Sequence, residues 1–144
     1  MPVSLHPVTR ENFRQVIELA VSPEQREYVA DNVRSLAEAY LEPKAWPRAI
    51  YADDEPVGFL MVHANDEKQE YFLWRLMIAA GQQGNGYGRS ALELLADELR
   101  ARGATELTSS YEPGDHSPRG FYLGLGFEET GKIYEGEVVI RLRL

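Results

Sequence analysis

The stretch Gln82-Gln83-Gly84-Asn85-Gly86-Tyr87-Gly88-Arg89-Ser90 decides how this chain is read. Three glycines alternate with larger residues, an apolar run ends just ahead of them, and an amphipathic run opens just after. The first N–H groups of a helix have no partner inside the helix, and that end carries partial positive charge. Glycines remove the side chains that would keep a ligand off the backbone, so a pyrophosphate can lie against it. Two familiar phosphate loops fail on the residues. A GxGxxG fingerprint starting at Gly84 needs a third glycine where Arg89 stands, and a P-loop needs a lysine that the segment lacks. A tight turn in which the glycines serve geometry alone is the other reading.

Working outward, residues 71–78 (YFLWRLMI) form a nearly continuous apolar run, the pattern of a strand buried on both faces in the middle of a sheet. Residues 90–102 form a helix with Leu92, Leu95, Ala96 and Leu99 on one stripe and Gly103 as its stop. Beyond it come a strand at 105–111, a turn at 113–115, a short helix at 118–125 closed by Gly126, and closing strands at 128–130, 133–134 and 138–142. Upstream, 49–52 and 57–63 flank the turn 53–55 as a hairpin, and 2–7 is a short strand. Phe13, Val16, Ile17 and Ala20 have helical spacing. Ser22 and Pro23 start a second helix, with Tyr28, Val29, Val33, Leu36, Ala37 and Tyr40 on its apolar side and Pro43 ending it.

The chain has 144 residues, 44% hydrophobic and 26% charged, which suits one folded domain over 1–144. With no cysteine, disulfides, thiolate metal sites and a cysteine nucleophile are excluded. His6, His63 and His116 lie far apart and form no metal-binding spacing. No run has signal-peptide or membrane-span character, so the cytoplasm is the expected compartment and no membrane partner is expected. A net charge of −8 without a basic patch argues against nucleic acid. It either attracts a cationic small molecule or serves solubility.

The loop resembles the Q/R-x-x-G-x-G/A motif of the GNAT superfamily of N-acetyltransferases, met by Gln83, Gly86 and Gly88. Residues 115–127 resemble that family's second signature, N-x-x-A-x-x-x-Y-x-x-x-G-F, with Tyr122, Gly126 and Phe127 matching and Pro118 in place of alanine. The element order agrees over nearly the whole chain. The runs SPEQREYVADN and SLAEAY resemble the bacterial diamine and polyamine acetyltransferase branch.

The resemblance implies an α/β fold of the α+β type, with a mixed sheet of about six or seven strands and about four helices. It implies acetyl-CoA as co-substrate, a primary amine of a small molecule as acceptor, and direct transfer in a ternary complex. A polyamine such as spermidine or spermine is the first acceptor it suggests. An amino-acid-like amine, or CoA binding without catalysis, is the alternative. Dimers are common in the superfamily, so a homodimer is in keeping with it.

By the same resemblance, the backbone of Leu76, Met77 and Ile78 carries pantetheine and polarises the thioester. Gln83, Gly84, Asn85, Gly86, Tyr87, Gly88, Arg89 and Ser90 hold the pyrophosphate. Tyr122 gives a proton to the leaving thiolate; packing beside Phe121 is its other reading. Asp115 stands where the family has asparagine and could accept from a pantetheine amide, or simply belong to the turn. The strand position that carries an acid in related polyamine enzymes is here Trp74 or Arg75.

Glu24, Glu27 and Asp31 fall at i, i+3 and i+7 of the second helix, an acidic face that either binds a cationic amine or is merely solvated. Of these, Glu27 is the candidate for taking the amine's proton. Tyr28 is either a wall of the acceptor site or core. Arg75, on a buried strand, needs a partner, either an acid of this face or an acceptor carboxylate.

Overall fold

The computed structural model describes residues 2–144. Seven strands form one mixed sheet in the order β1-β2-β3-β4-β5-β7-β6. They are β1 (Val3–His6), β2 (Ala45–Ala52), β3 (Glu55–Asn65), β4 (Glu70–Ile78), β5 (Glu106–Tyr111), β6 (Glu128–Tyr134) and β7 (Glu137–Arg143). The helices are α1 (Phe13–Glu18), α2 (Asn32–Leu41), α3 (Tyr87–Ala101) and α4 (Arg119–Gly124). The continuous apolar run at 71–78 is explained by position: β4 is the fourth of the seven strands, with Leu73, Leu76, Met77 and Ile78 all buried.

Two apolar layers cover the sheet. On one face α3 sends Ala91, Leu92, Leu95 and Leu99 against Ile50, Leu60, Leu73, Leu76 and Leu107. On the other, Val16 of α1 and the partly buried Leu36 and Ala39 of α2 meet Ala49, Phe59, Met61 and Met77. No helix among the described residues is long and apolar enough to cross a membrane.

Residues 22–41 depart from the expected single helix. The chain makes a 3₁₀ turn at Pro23–Gln25 and an irregular bend, then starts again at Asp31, the N-cap of α2. The cap is local chemistry: the Asp31 carboxylate accepts the Arg34 N–H at 2.8 Å, satisfying a donor the helix cannot. The restart rotates the stripe. Asn32 and Ser35 face inward, and the supposed apolar residues Val33 and Tyr40 are 56% and 89% exposed. Asn32 fits there because its amide donates to the Val16 carbonyl at 2.8 Å.

The strands β4 and β5 run parallel, and their register holds a single aligned pair, Phe72↔Thr108. By contrast β5 and β7 pair continuously from Glu106↔Arg143 to Tyr111↔Val138. At the junction, hydroxyls replace backbone donors: Thr108 Oγ1 donates to the Tyr71 carbonyl at 3.2 Å and Ser109 Oγ to the Leu73 carbonyl at 2.7 Å. Beyond Leu73 the strands part, and a cleft opens in the middle of the sheet.

Candidate active site

The cleft has two chambers. The first, about 540 Å³, is lined by Leu76, Met77 and Ile78 of β4, by Gln83, Gly84, Gly86, Tyr87, Gly88 and Arg89, and by Phe121 and Leu125 beyond β5. Gly84 and Gly86 adopt φ of +84° and +78°, the left-handed region that side-chain-bearing residues avoid. They turn the chain so that Gly86 is the N-cap of α3 with no side-chain hydrogen bond at the cap. The start of a fifteen-residue helix therefore points its backbone donors at the chamber. A Cβ at Gly84 or Gly86 meets nothing within 4 Å, so the space above the loop is open. A strand edge that β5 leaves uncovered, for amide groups, and a helix N-terminus for phosphates suit an elongated ligand with both features.

Other members of the predicted loop have local tasks. Asn85 Nδ2 donates to the Gln82 carbonyl at 3.0 Å, and the Ser90 N–H makes the first helical bond, to Gly86 O at 3.1 Å. Arg89 donates to the carbonyl of Gly124, tying the loop to α4. Gln83 Nε2 donates to the Ile78 carbonyl at 2.9 Å and to Gln25 Oε1 at 3.0 Å. Asp115 is exposed and is not among the residues lining this chamber, where His116 and Ser117 appear instead.

The second chamber, about 460 Å³, is walled by Glu27, Tyr28, Trp74, Arg75, Ser110, Glu112, Tyr122, Glu135 and Glu137, among others. The two chambers share Tyr28, Val29, Leu76 and Pro118, which places their junction at the parting of β4 and β5. Tyr28 reaches over this junction, close enough that a Cβ at Gly114 would lie 2.2 Å from its hydroxyl. With the Gln25–Gln83 bond, the bend after α1 is fastened on both sides of the cleft.

Tyr122 is 7% exposed, its ring edge-on to Phe127 with centroids 5.5 Å apart. Burial pushes its phenol up to about 12; the Glu137 charge adds to the rise, and a hydrogen bond with Ser109 and the Arg75 charge oppose it. The phenol is therefore a neutral O–H at every ordinary pH.

Arg75 has an internal partner. Its Nη2 bonds Glu38 Oε1 at 2.7 Å and its Nη1 the Trp74 carbonyl at 3.1 Å. Burial lowers its pKa from the ordinary value while Glu38 opposes that. The partner is an acid of α2 outside the supposed acidic face.

The acidic helix face does not exist as such. Glu24 lies in the 3₁₀ turn, exposed, and Asp31 is spent on capping α2. Neither lines the second chamber, whereas Glu27 and Tyr28 do. The i, i+3, i+7 spacing misled because the helix it assumed is interrupted between Gln25 and Asn32. Residues that the sequence pattern did not single out are Ser109, Ser110 and Glu137. Their signal was weak: small hydroxyls on an ordinary strand, and an acid after a glycine turn.

A mixed sheet parted beside a helix N-terminus, with a buried phenol near the parting, suits a long ligand with a phosphorylated end. The chain belongs to the acetyltransferase (GNAT) family, whose sequence profile matches residues 13–127. It is accordingly an acyltransferase that uses acetyl-CoA as co-substrate. The spermine/spermidine N(1)-acetyltransferase of Bacillus subtilis (strain 168) is 27% identical over 149 residues, covering 97% of each chain. An uncharacterized N-acetyltransferase of the same strain is 30% identical over 79 residues, and that match spans about half of either chain (54% and 51%). The fold matches an acetyltransferase from Thermus thermophilus with a TM-score of 0.80 at 24% identity, over 100% and 98% of the two chains. It matches the PaiA N-acetyltransferase of Thermoplasma acidophilum, solved in complex with coenzyme A, with a TM-score of 0.77 at 15% identity over both full chains.

Proposed function

We propose that the chain moves an acetyl group from acetyl-CoA to a primary amine of a small molecule, a polyamine such as spermidine or spermine, by direct transfer in a ternary complex in the cytoplasm. The observation that carries this reading is the meeting of the two chambers at the parted strands, with Tyr122 buried beside it. Similarity to the Bacillus spermine/spermidine enzyme supports the acceptor class. So does the charge of the second chamber. Glu27, Glu112, Glu135 and Glu137 face Arg26, Arg34 and Arg75, and two of those arginines pair with Glu38, outside the chamber lining. For an amino-acid-like acceptor, the Arg75 guanidinium is already engaged by Glu38 and the Trp74 carbonyl.

Bound acetyl-CoA supplies the thioester. In this reading the backbone of Leu76, Met77 and Ile78 positions the pantetheine arm. The loop from Gln83 to Ser90 takes the pyrophosphate, the donors coming from Gly84, Gly86, Tyr87, Gly88 and the Arg89 side chain. Glu27 and Tyr28 wall the acceptor side. The amine attacks as a neutral base, forming the C–N bond while the C–S bond breaks, and its proton passes through a carboxylate to solvent.

Tyr122 donates its proton to the departing sulfur and recovers it from solvent. A phenol near 12 is a weak acid for an ordinary thiolate, but the same desolvation raises the basicity of a thiolate formed beside it. Initial-rate kinetics test the reading: with acetyl-CoA and spermidine both varied, direct transfer gives intersecting double-reciprocal lines. Parallel lines, the mark of a covalent acyl-enzyme, would refute direct transfer.

A further inference from the structure

We infer that Glu137 anchors the reacting amine of the acceptor. This rests on the transferase reading above and adds to it the group that the acceptor touches.

β4 offers the second chamber Trp74 and Arg75 and no carboxylate. Both terminal nitrogens of Arg75 are bonded to Glu38 and Trp74. Its Nε is buried without a partner among the described residues, so it is closed to a ligand. The β6–β7 hairpin differs. The hairpin between β6 and β7 turns through Glu135 and Gly136, with φ of +49° and +81°, and pairs Tyr134 with Glu137. The tight turn fixes where Glu137 emerges, half-buried, as the first residue of β7.

The neighbouring Val138 pairs with Tyr111 of β5. That register brings Ser110 alongside, and its Oγ donates to Glu137 Oε1 at 2.7 Å. One carboxylate oxygen is thus held, and among the described residues the other makes no hydrogen bond. Tyr122 lines the same chamber and feels the Glu137 charge. A carboxylate held by a hydroxyl on one oxygen and open on the other can bind an alkylammonium and accept a proton from it as the nitrogen attacks. Glu112 and Glu135 line the same chamber, so the carboxylates there outnumber what Arg75, whose charge also acts on Glu137, can balance, and an added cation is favoured. An acid delivered from β7 fills the role that Trp74 and Arg75 leave vacant on β4.

The experiment is calorimetric titration of spermidine into protein saturated with CoA, comparing wild type with Glu137→Gln. The amide keeps the side-chain size and can still accept from Ser110, so the fold should hold. The spermidine Kd should rise about tenfold or more, given that a truncated charge pair typically loses more than a factor of ten. CoA affinity should stay unchanged, as should spermidine affinity in the distant loop variant Glu67→Gln. In turnover, KM for spermidine should rise with KM for acetyl-CoA unmoved, and Glu137→Asp should recover part of the loss. Equal spermidine affinity in wild type and Glu137→Gln, or a parallel loss of CoA affinity, overturns the inference. Spermidine that binds wild type through Glu137 but leaves unacetylated would instead refute the transferase reading and leave the anchor standing.

Discussion

Replacing Tyr122 by phenylalanine removes one oxygen from a position that is 7% exposed. The ring, its edge-on contact with Phe127 and its place on α4 are kept. If the phenol protonates the departing sulfur, kcat should fall about 10²–10³-fold, the usual worth of a positioned general acid. That is about 2.7–4 kcal/mol in the barrier. KM for both substrates should move less than about threefold, because an interaction made only in the transition state does not contribute to ground-state binding.

A second readout tests the same residue without activity. The phenol's folded pKa, about 12, lies above its ordinary value of 10.0. A raised value means that the folded state holds this proton more tightly. The stabilisation is fully present below pH 10 and is lost as pH rises from about 10 to 12. Two pH units correspond to about 3 kcal/mol. Denaturant melts across that window should show a shallower alkaline loss in Tyr122→Phe than in wild type. If the variant keeps kcat within about threefold of wild type, Tyr122 is a packing aromatic and the acid assignment is wrong.

Gly86→Val forces a β-branched residue into φ of +78° and fills the open space above the loop. The strain is about 1–2 kcal/mol, a Tm loss of several degrees, while CoA affinity by calorimetry should fall at least about tenfold. Asp31→Ala should cost about 1 kcal/mol by removing the cap of α2 and leave KM for spermidine unchanged, whereas an acceptor role would raise it. Glu38→Gln deprives the Arg75 guanidinium of its charged partner and should lower stability by about 2 kcal/mol in chemical denaturation, with CoA affinity preserved.

The sequence disclosed most where a feature is local. The turn glycines, the stripe of α3 and the unbroken apolar run of β4 each follow from chain-local sterics or burial, and all three stand where they were expected. The acidic face failed for a local reason that periodicity cannot register: Asp31 prefers its own backbone to a helical position, so α2 begins there and the phase of every later residue shifts. The partner of Arg75 and the place of Glu137 were illegible for a different reason. Glu38 lies 37 residues before Arg75, and Ser110 lies 27 before Glu137. The packing of α2 on the sheet brings the first pair together, and the β5–β7 register the second. The parting of β4 and β5 belongs to the same class, since hydroxyls at Thr108 and Ser109 read as ordinary strand residues until their acceptors are known.

Acetyl transfer to an amine where the two chambers meet is tested most directly by following thiol release from acetyl-CoA. Spermidine, spermine, short diamines and amino-acid amides are each added in turn, with the acylated product identified by mass. Saturable, amine-dependent release is expected, one thiol for each N-acetyl group formed, with the polyamines preferred. Cofactor bound tightly, yet no thiol released with any amine, would contradict it.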